Sequence, residues 1–128
     1  MTILVDSDVL IEVCRGRDKG ITSHWLELIG SGTSIQYSAV TAAELWAGAL
    51  PSEHNLLRSL FQALACVPID HEAGRQAGDY LRQYAKSHGI GLGDSLIAAA
   101  AVHSGAMLWT RNRKHYPMKE IVFYQNVT

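Results

Sequence analysis

Four short segments each set an oxygen-bearing side chain where a run of apolar residues ends or a helix opens. They are Asp6 after Ile3-Leu4-Val5, Glu44 in Thr41-Ala42-Ala43-Glu44, Asp94 after the glycine-rich stretch His88 to Gly93, and Asn112 after Leu108-Trp109-Thr110-Arg111. Carboxylates gathered within a few ångströms raise one another's pKa, and a divalent cation is what neutralises such a cluster near neutral pH. Hard oxygen ligands suit Mg2+ or Mn2+. A cation held this way lowers the pKa of water and stabilises charge on a phosphoryl group, so the chemistry implied is metal-assisted phosphodiester hydrolysis. Asp6, Glu44, Asp94 and Asn112 are the candidate catalytic residues, with Asp6, Glu44 and Asp94 as metal ligands and Ser7, Asp8 and Thr110 in support.

Each member also has a plainer reading. Asp6 and Ser7 are preferred helix caps, and Thr41 with Glu44 fits a capping box in which Glu44 reaches back to the Thr41 amide. Asp70 reads as the cap of a long helix and Asp79 as part of its solvated face. His24, His54, His71 and His103 show no spacing of a histidine metal site.

The elements that must position these residues follow from the pattern of apolar positions. Ile3-Leu4-Val5 reads as a buried parallel strand, and ligands bind at the carboxyl ends of such strands. Val9, Leu10 and Val13 lie at helical spacing, and the stretch Arg15 to Gly20 ends that helix. A second helix is expected from Thr22 to Ile29 and a strand over 34–37. A third helix opens at Thr41 and closes at Pro51, and an amphipathic helix from Ser52 carries Leu56, Leu57, Leu60, Phe61 and Leu64. Cys66 to Ile69 reads as an edge strand because of Pro68. A helix from Asp70 turns Ala73, Ala77, Leu81 and Tyr84 inward, and a small-residue helix runs from Asp94 through Ala101. Ala106 to Trp109 and Ile121 to Tyr124 complete the strands. Alternating strands and helices predict an α/β/α sandwich on a parallel sheet.

A chain of 128 residues with 48% apolar and 18% charged residues is a globular sequence of one domain's size. Its formal net charge of -1 leaves nucleic-acid binding to local patches. The candidates are Arg111, Arg113 and Lys114, beside Asn112, and Arg15 and Arg17 after the first helix, any of which could hold nucleic-acid phosphates. Trp46 and Tyr116 are candidates for stacking on bases, with core packing the alternative for Trp46. Cys14 and Cys66 lack metal-ligand spacing and read as buried thiols in a reducing cytoplasm. The acidic N-terminus does not read as a signal peptide, and the apolar run Leu96 to Val102 is far too short to span a membrane.

The segments Leu4 to Ile11, Thr41 to Gly48, Asp94 to Ala101 and Leu108 to Asn112, in this order and spacing, make the chain resemble the PIN domain, and within it the VapC-type toxins of toxin-antitoxin pairs. The resemblance spans nearly the whole length and implies a single PIN domain over residues 1–128. It implies an Mg2+- or Mn2+-dependent endoribonuclease in which Asp6, Glu44 and Asp94 hold the metal. It further implies strand order 3-2-1-4-5, a homodimer, and a VapB-type antitoxin whose C-terminal segment fills the active-site groove. Two positions depart from the family's pattern: Asn112 stands where a further acid is frequent, and Asp8 where Asn is common. Two other readings are compatible with parts of the sequence. Asp6-Ser7-Asp8 also resembles the start of a haloacid-dehalogenase-type phosphatase, with Asp6 as nucleophile and Asp8 as general acid. A PIN module that binds RNA or a partner without cutting is the non-enzymatic alternative.

Overall fold

The computed structural model describes residues 1–124. Its centre is a parallel sheet of four strands in the order β3-β2-β1-β4, formed by β1 (Thr2–Val5), β2 (Ser34–Ser38), β3 (Ala65–Val67) and β4 (Met107–Trp109). In β1, Leu4 pairs with Gln36 on one side and Leu108 on the other, so the first strand is interior. The expected fifth strand is reduced to one parallel bridge, Leu108 to Phe123, on the free edge of β4. Two hydrogen bonds make it: Leu108 N–H donates to the Val122 carbonyl and Tyr124 N–H to the Leu108 carbonyl, each at 2.8 Å. The order 3-2-1-4 therefore stands, and among the described residues the fifth position is a contact rather than a strand.

Successive side chains of a strand face opposite sides, and β1 uses both. Ile3 and Val5 enter a core with Ile35 and Trp109. That core is covered by α1 (Ser7–Arg15), α2 (Lys19–Gly30), α3 (Ala39–Gly48) and α4 (His54–Ala63). Leu4 enters the opposite core with Val67 and Leu108, beneath α5 (His71–His88) and α6 (Leu92–Ser104). The Ala98 to Ala101 run of α6 is fully buried there with Ala73 and Ala77 of α5, since small side chains let helix backbones approach closely. The three-layer sandwich is thus the expected one.

Local chemistry moves several boundaries. Asp18 caps α2, accepting from Ile21 N–H at 3.1 Å, so that helix starts at Lys19 rather than Thr22. Ser38 caps α3, accepting from Thr41 N–H at 3.3 Å, which begins that helix at Ala39 and removes Thr41 from the cap position. Pro51 to Glu53 form a 3₁₀ turn ahead of α4, in which Leu57 is buried but Leu56 is exposed. Asp70 caps α5 as expected, accepting from Ala73 N–H, and Tyr80 joins its buried face. Leu81 and Tyr84 are half-buried against the same core. Asp79 lies on the outer face of α5 with Arg75 and Arg82 as ion-pair partners. β3 is an edge strand, as Pro68 suggests, and that position leaves Cys66 exposed; Cys14, on α1, is half-buried, so neither thiol is the buried one expected. Among the described residues, no helix is long and apolar enough to cross a membrane.

Candidate active site

The carboxyl ends of β1 and β4 meet at Asp6, whose N–H donates to the Trp109 carbonyl at 2.9 Å and extends the ladder by one step. The backbone then turns from extended geometry at Asp6 into α1, so the same residue ends a strand and caps a helix. Its Oδ1 accepts from Ser7 N–H at 2.8 Å. Its Oδ2 accepts from the Thr110 hydroxyl at 2.8 Å and the Tyr116 hydroxyl at 2.9 Å. Burial raises the Asp6 pKa, the three donors oppose that rise, and the charge of Asp94 adds to it. Every partner is a donor, an arrangement that serves the carboxylate form.

Asp8 accepts from Arg111 N–H at 3.0 Å through Oδ2, which ties the first turn of α1 to the exit of β4. Its Oδ1 is buried and has no hydrogen-bond partner. Burial, and then the charge of Asp6, push the Asp8 pKa up from 3.8 to about 6.

Glu44 is on the exposed side of α3 and reaches the start of α1, not its own helix terminus. The Ser7 hydroxyl lies 2.7 Å from Glu44 Oε1 and 3.1 Å from Thr41 Oγ1. One hydroxyl hydrogen cannot fully serve both, and the carboxylate is the stronger acceptor. The capping box of Thr41 and Glu44 is accordingly absent: Ser38 has taken the cap, and Thr41 is fully buried beside Ser7.

Asp94 occupies the first turn of α6 behind Gly91, with Oδ2 3.5 Å from Gly91 N and 3.5 Å from His115 Nδ1. The Asn112 side-chain nitrogen stands 3.2 Å from the same ring nitrogen, which either accepts from Asn112 or donates to Asp94, not both. Asn112 N–H donates to Thr110 Oγ1 at 3.0 Å, which leaves the Thr110 hydrogen directed at Asp6.

Among the described residues, no three His, Cys, Asp or Glu side chains stand close enough to enclose a metal ion. The donors nevertheless suit a hard cation: carboxylate oxygens predominate, Asp6 and Asp8 are electrostatically coupled, and Asp8 Oδ1 is a buried oxygen with nothing to accept from. Asp6, Asp8 and Asp94 form the mouth, while Glu44 joins it through Ser7.

Three of the five candidate basic residues have partners in the fold. Arg17 and Arg111 flank the buried carboxylate of Glu12 at 3.3 and 3.4 Å, and Arg111 also approaches Asp18 at 3.9 Å. Arg113 lies over the Phe123 ring, 4.9 Å from its centroid, and donates to the Tyr124 carbonyl. Arg15 and Lys114 are exposed. Tyr116 is 3% exposed and cannot stack on a base, contrary to the expectation from its position, because its ring is in the core and its hydroxyl on Asp6. Trp46 is half-buried, with the rings of His54 and Phe61 beside it. The sequence pattern singled out Tyr116 for stacking and missed its place on Asp6; the available signal was an aromatic hydroxyl that needs a partner when buried. Beside Glu44, a cavity of about 110 Å³ opens between α1, α3 and α4, lined by Ile11, Cys14, Leu45, Ala49 and Leu57.

The model of the PIN domain family matches residues 3–121. The chain belongs to the PIN-domain family. Ribonuclease VapC10 of Mycobacterium tuberculosis is 40% identical over 123 residues, 92% of this chain and 88% of that protein. Ribonuclease VapC19 of the same organism is 34% identical over 116 residues, 90% of this chain and 92% of that one. Among solved structures, VapBC-1 from nontypeable Haemophilus influenzae matches with a TM-score of 0.79 at 22% identity, covering 98% of each chain. VapBC2 from Rickettsia felis, bound to a DNA fragment from its promoter, matches at 0.77 and 23% identity over 97% of this chain and 98% of that one. A PIN domain is a different family from the haloacid dehalogenases, which removes the phosphatase reading of Asp6 and Asp8.

Proposed function

We propose that the chain is an endoribonuclease that hydrolyses RNA phosphodiester bonds with Mg2+ or Mn2+, and that it is the toxin of a VapBC-type toxin-antitoxin pair. The observation that carries the chemistry is the mouth of β1 and β4, where buried Asp6 stands beside half-buried Asp8 and one buried Asp8 oxygen has no partner. The relatives named as VapC ribonucleases support the activity, and the resemblance to VapBC assemblies supports a VapB-type antitoxin as partner and a homodimer as the working unit. Two cores on one sheet, both anchored by β1, support residues 1–128 acting as a single PIN domain.

Asp6, Asp94 and Glu44 are the proposed metal ligands, with Asp8 beside them and Asn112 completing the catalytic set. When bound, the cation supplies Lewis-acid stabilisation of charge on the phosphodiester and acidifies water. The protein's own work is positional. Thr110 holds Asp6, Ser7 holds Glu44, and His115 stands between Asn112 and Asp94 with one ring nitrogen for either of them. Arg15 and Lys114 are exposed cations for RNA phosphates, while Arg111, Arg113 and Arg17 act there only by exchanging their present partners. The antitoxin's C-terminal segment would lie along the cavity beside Glu44.

The test is cleavage of structured RNA by the purified chain with Mg2+ or Mn2+. Asp6→Asn and Asp94→Asn should each abolish cleavage while the thermal transition persists. Cleavage that continues in excess chelator refutes the metal dependence, and RNA binding without any cleavage would favour the non-cutting PIN module.

A further inference from the structure

Tyr116 is separated from Asp6 by 110 positions, yet its hydroxyl donates to Asp6 Oδ2 at 2.9 Å. The ring is held in the core that contains Met118 and Ile121, so the phenol has little freedom to leave. Thr110 donates to the same oxygen at 2.8 Å, and its own oxygen is occupied by Asn112 N–H. A carboxylate oxygen offers two lone pairs in its plane, so two hydroxyl donors fill Oδ2. Oδ1 accepts only from Ser7 N–H and retains one.

We propose, on the reading of Asp6 as a metal ligand, that Tyr116 is a positioning residue: with Thr110 it saturates Oδ2 and fixes the carboxylate so that Oδ1 is the oxygen left for a divalent cation. With Ser7 on Oδ1 and Thr110 on Oδ2 the carboxylate plane is held, but Oδ2 would keep an open lone pair that competes for the cation. Tyr116 closes it. A purely structural role for this tyrosine would show in stability, whereas a positioning role shows in metal affinity, because groups that orient a ligand set its affinity by about tenfold to a hundredfold.

Mn2+ titrated into the RNA-free chain, with free Mn2+ read by electron paramagnetic resonance, separates the two. Tyr116→Phe keeps the ring and should weaken Mn2+ binding by about tenfold to a hundredfold. Tyr80→Phe, which removes another buried hydroxyl, the one that bonds Glu120 at 3.0 Å, should leave Mn2+ binding unchanged. Equal affinity in wild type and Tyr116→Phe, with binding lost in Asp6→Asn, overturns the positioning role alone. A wild-type chain that does not bind Mn2+ overturns the metal reading and this inference with it. A second measurement needs no substitution: in proton NMR of the wild-type chain, the Tyr116 hydroxyl resonance should shift on Mg2+ addition while that of Tyr80 does not, and a Tyr116 resonance indifferent to Mg2+ counts against the proposal.

Discussion

A helix cap needs a side chain that accepts from a backbone amide, and a cation ligand needs one that keeps a lone pair for the ion. Asp6 meets both demands by dividing its oxygens, one taking two hydroxyls and the other a single amide. Asp8 has less support: one oxygen accepts from Arg111 N–H, and the other is buried without a hydrogen-bond partner. The consequence is a pH dependence of the metal-free chain. The folded Asp8 pKa, about 6, lies above its ordinary 3.8, so the folded state binds the proton more tightly than the unfolded one. Stability from this group is greatest at low pH, falls as pH rises between those two values, and is flat above them. Asp6 adds in the same direction. Thermal melts in chelator at about pH 4 and pH 7 should therefore show a smaller difference for Asp8→Asn than for wild type; an unchanged difference would place the titration elsewhere. Ser7→Ala frees Glu44 from its 2.7 Å donor and should lower the cleavage rate by roughly tenfold to a hundredfold, with little change in the melt, as measured by initial rates at saturating Mn2+.

Helix α3 shows how an element decides a side chain's role. Thr41 and Glu44 have the spacing of a capping box, but Ser38, at the end of β2, is fully buried and takes the cap three residues earlier. Glu44 then falls in the second turn and faces Ser7 of α1. Ser38→Ala should destabilise the chain by about 0.5–2 kcal/mol in denaturant melts, the usual range for a lost cap. An unaltered midpoint would mean that strand pairing alone starts α3. Helix α6 is different, since Gly91 offers no capping side chain and Asp94 reaches back to its amide only at 3.5 Å. Asp94 is thus lightly held and available to a ligand.

At the scale of the whole molecule, β1 is the shared wall of two cores, and its mouth is where the neighbouring strands β1 and β4 deliver Asp6 and Thr110. Leu4, fully buried between β2 and β4, should lose about 2–5 kcal/mol on Leu4→Ala, read as a shift in the urea midpoint without a change in slope. Ligand binding to the folded state alone adds stability, by about 2.7 kcal/mol at a hundred times the dissociation constant. Mn2+ at that excess should raise the melting temperature of wild type and leave Asp6→Asn unmoved. A metal-independent melting temperature in wild type would contradict the proposed site.

What the sequence determined by itself was local and periodic. Apolar runs and helical spacings located every strand of the sheet and every helix to within a few residues, and chain order with right-handed crossovers implied the layers, because these depend on burial patterns that repeat along the chain. The segments around Asp6, Glu44, Asp94 and Asn112 were legible for the same reason: each lies at an element boundary. Tertiary structure alone decided the pairings. That Ser7 and not the Thr41 amide would hold Glu44, that Glu12 would draw in Arg17 and Arg111, and that Tyr116 would turn its hydroxyl to Asp6 depend on distances between residues far apart in the chain, which no spacing encodes. Among the described residues the fifth strand is a single bridge on the free edge of β4, a pairing that only the tertiary structure decides. Patterns of burial are written along one dimension, but the partners of a buried polar atom are chosen in three.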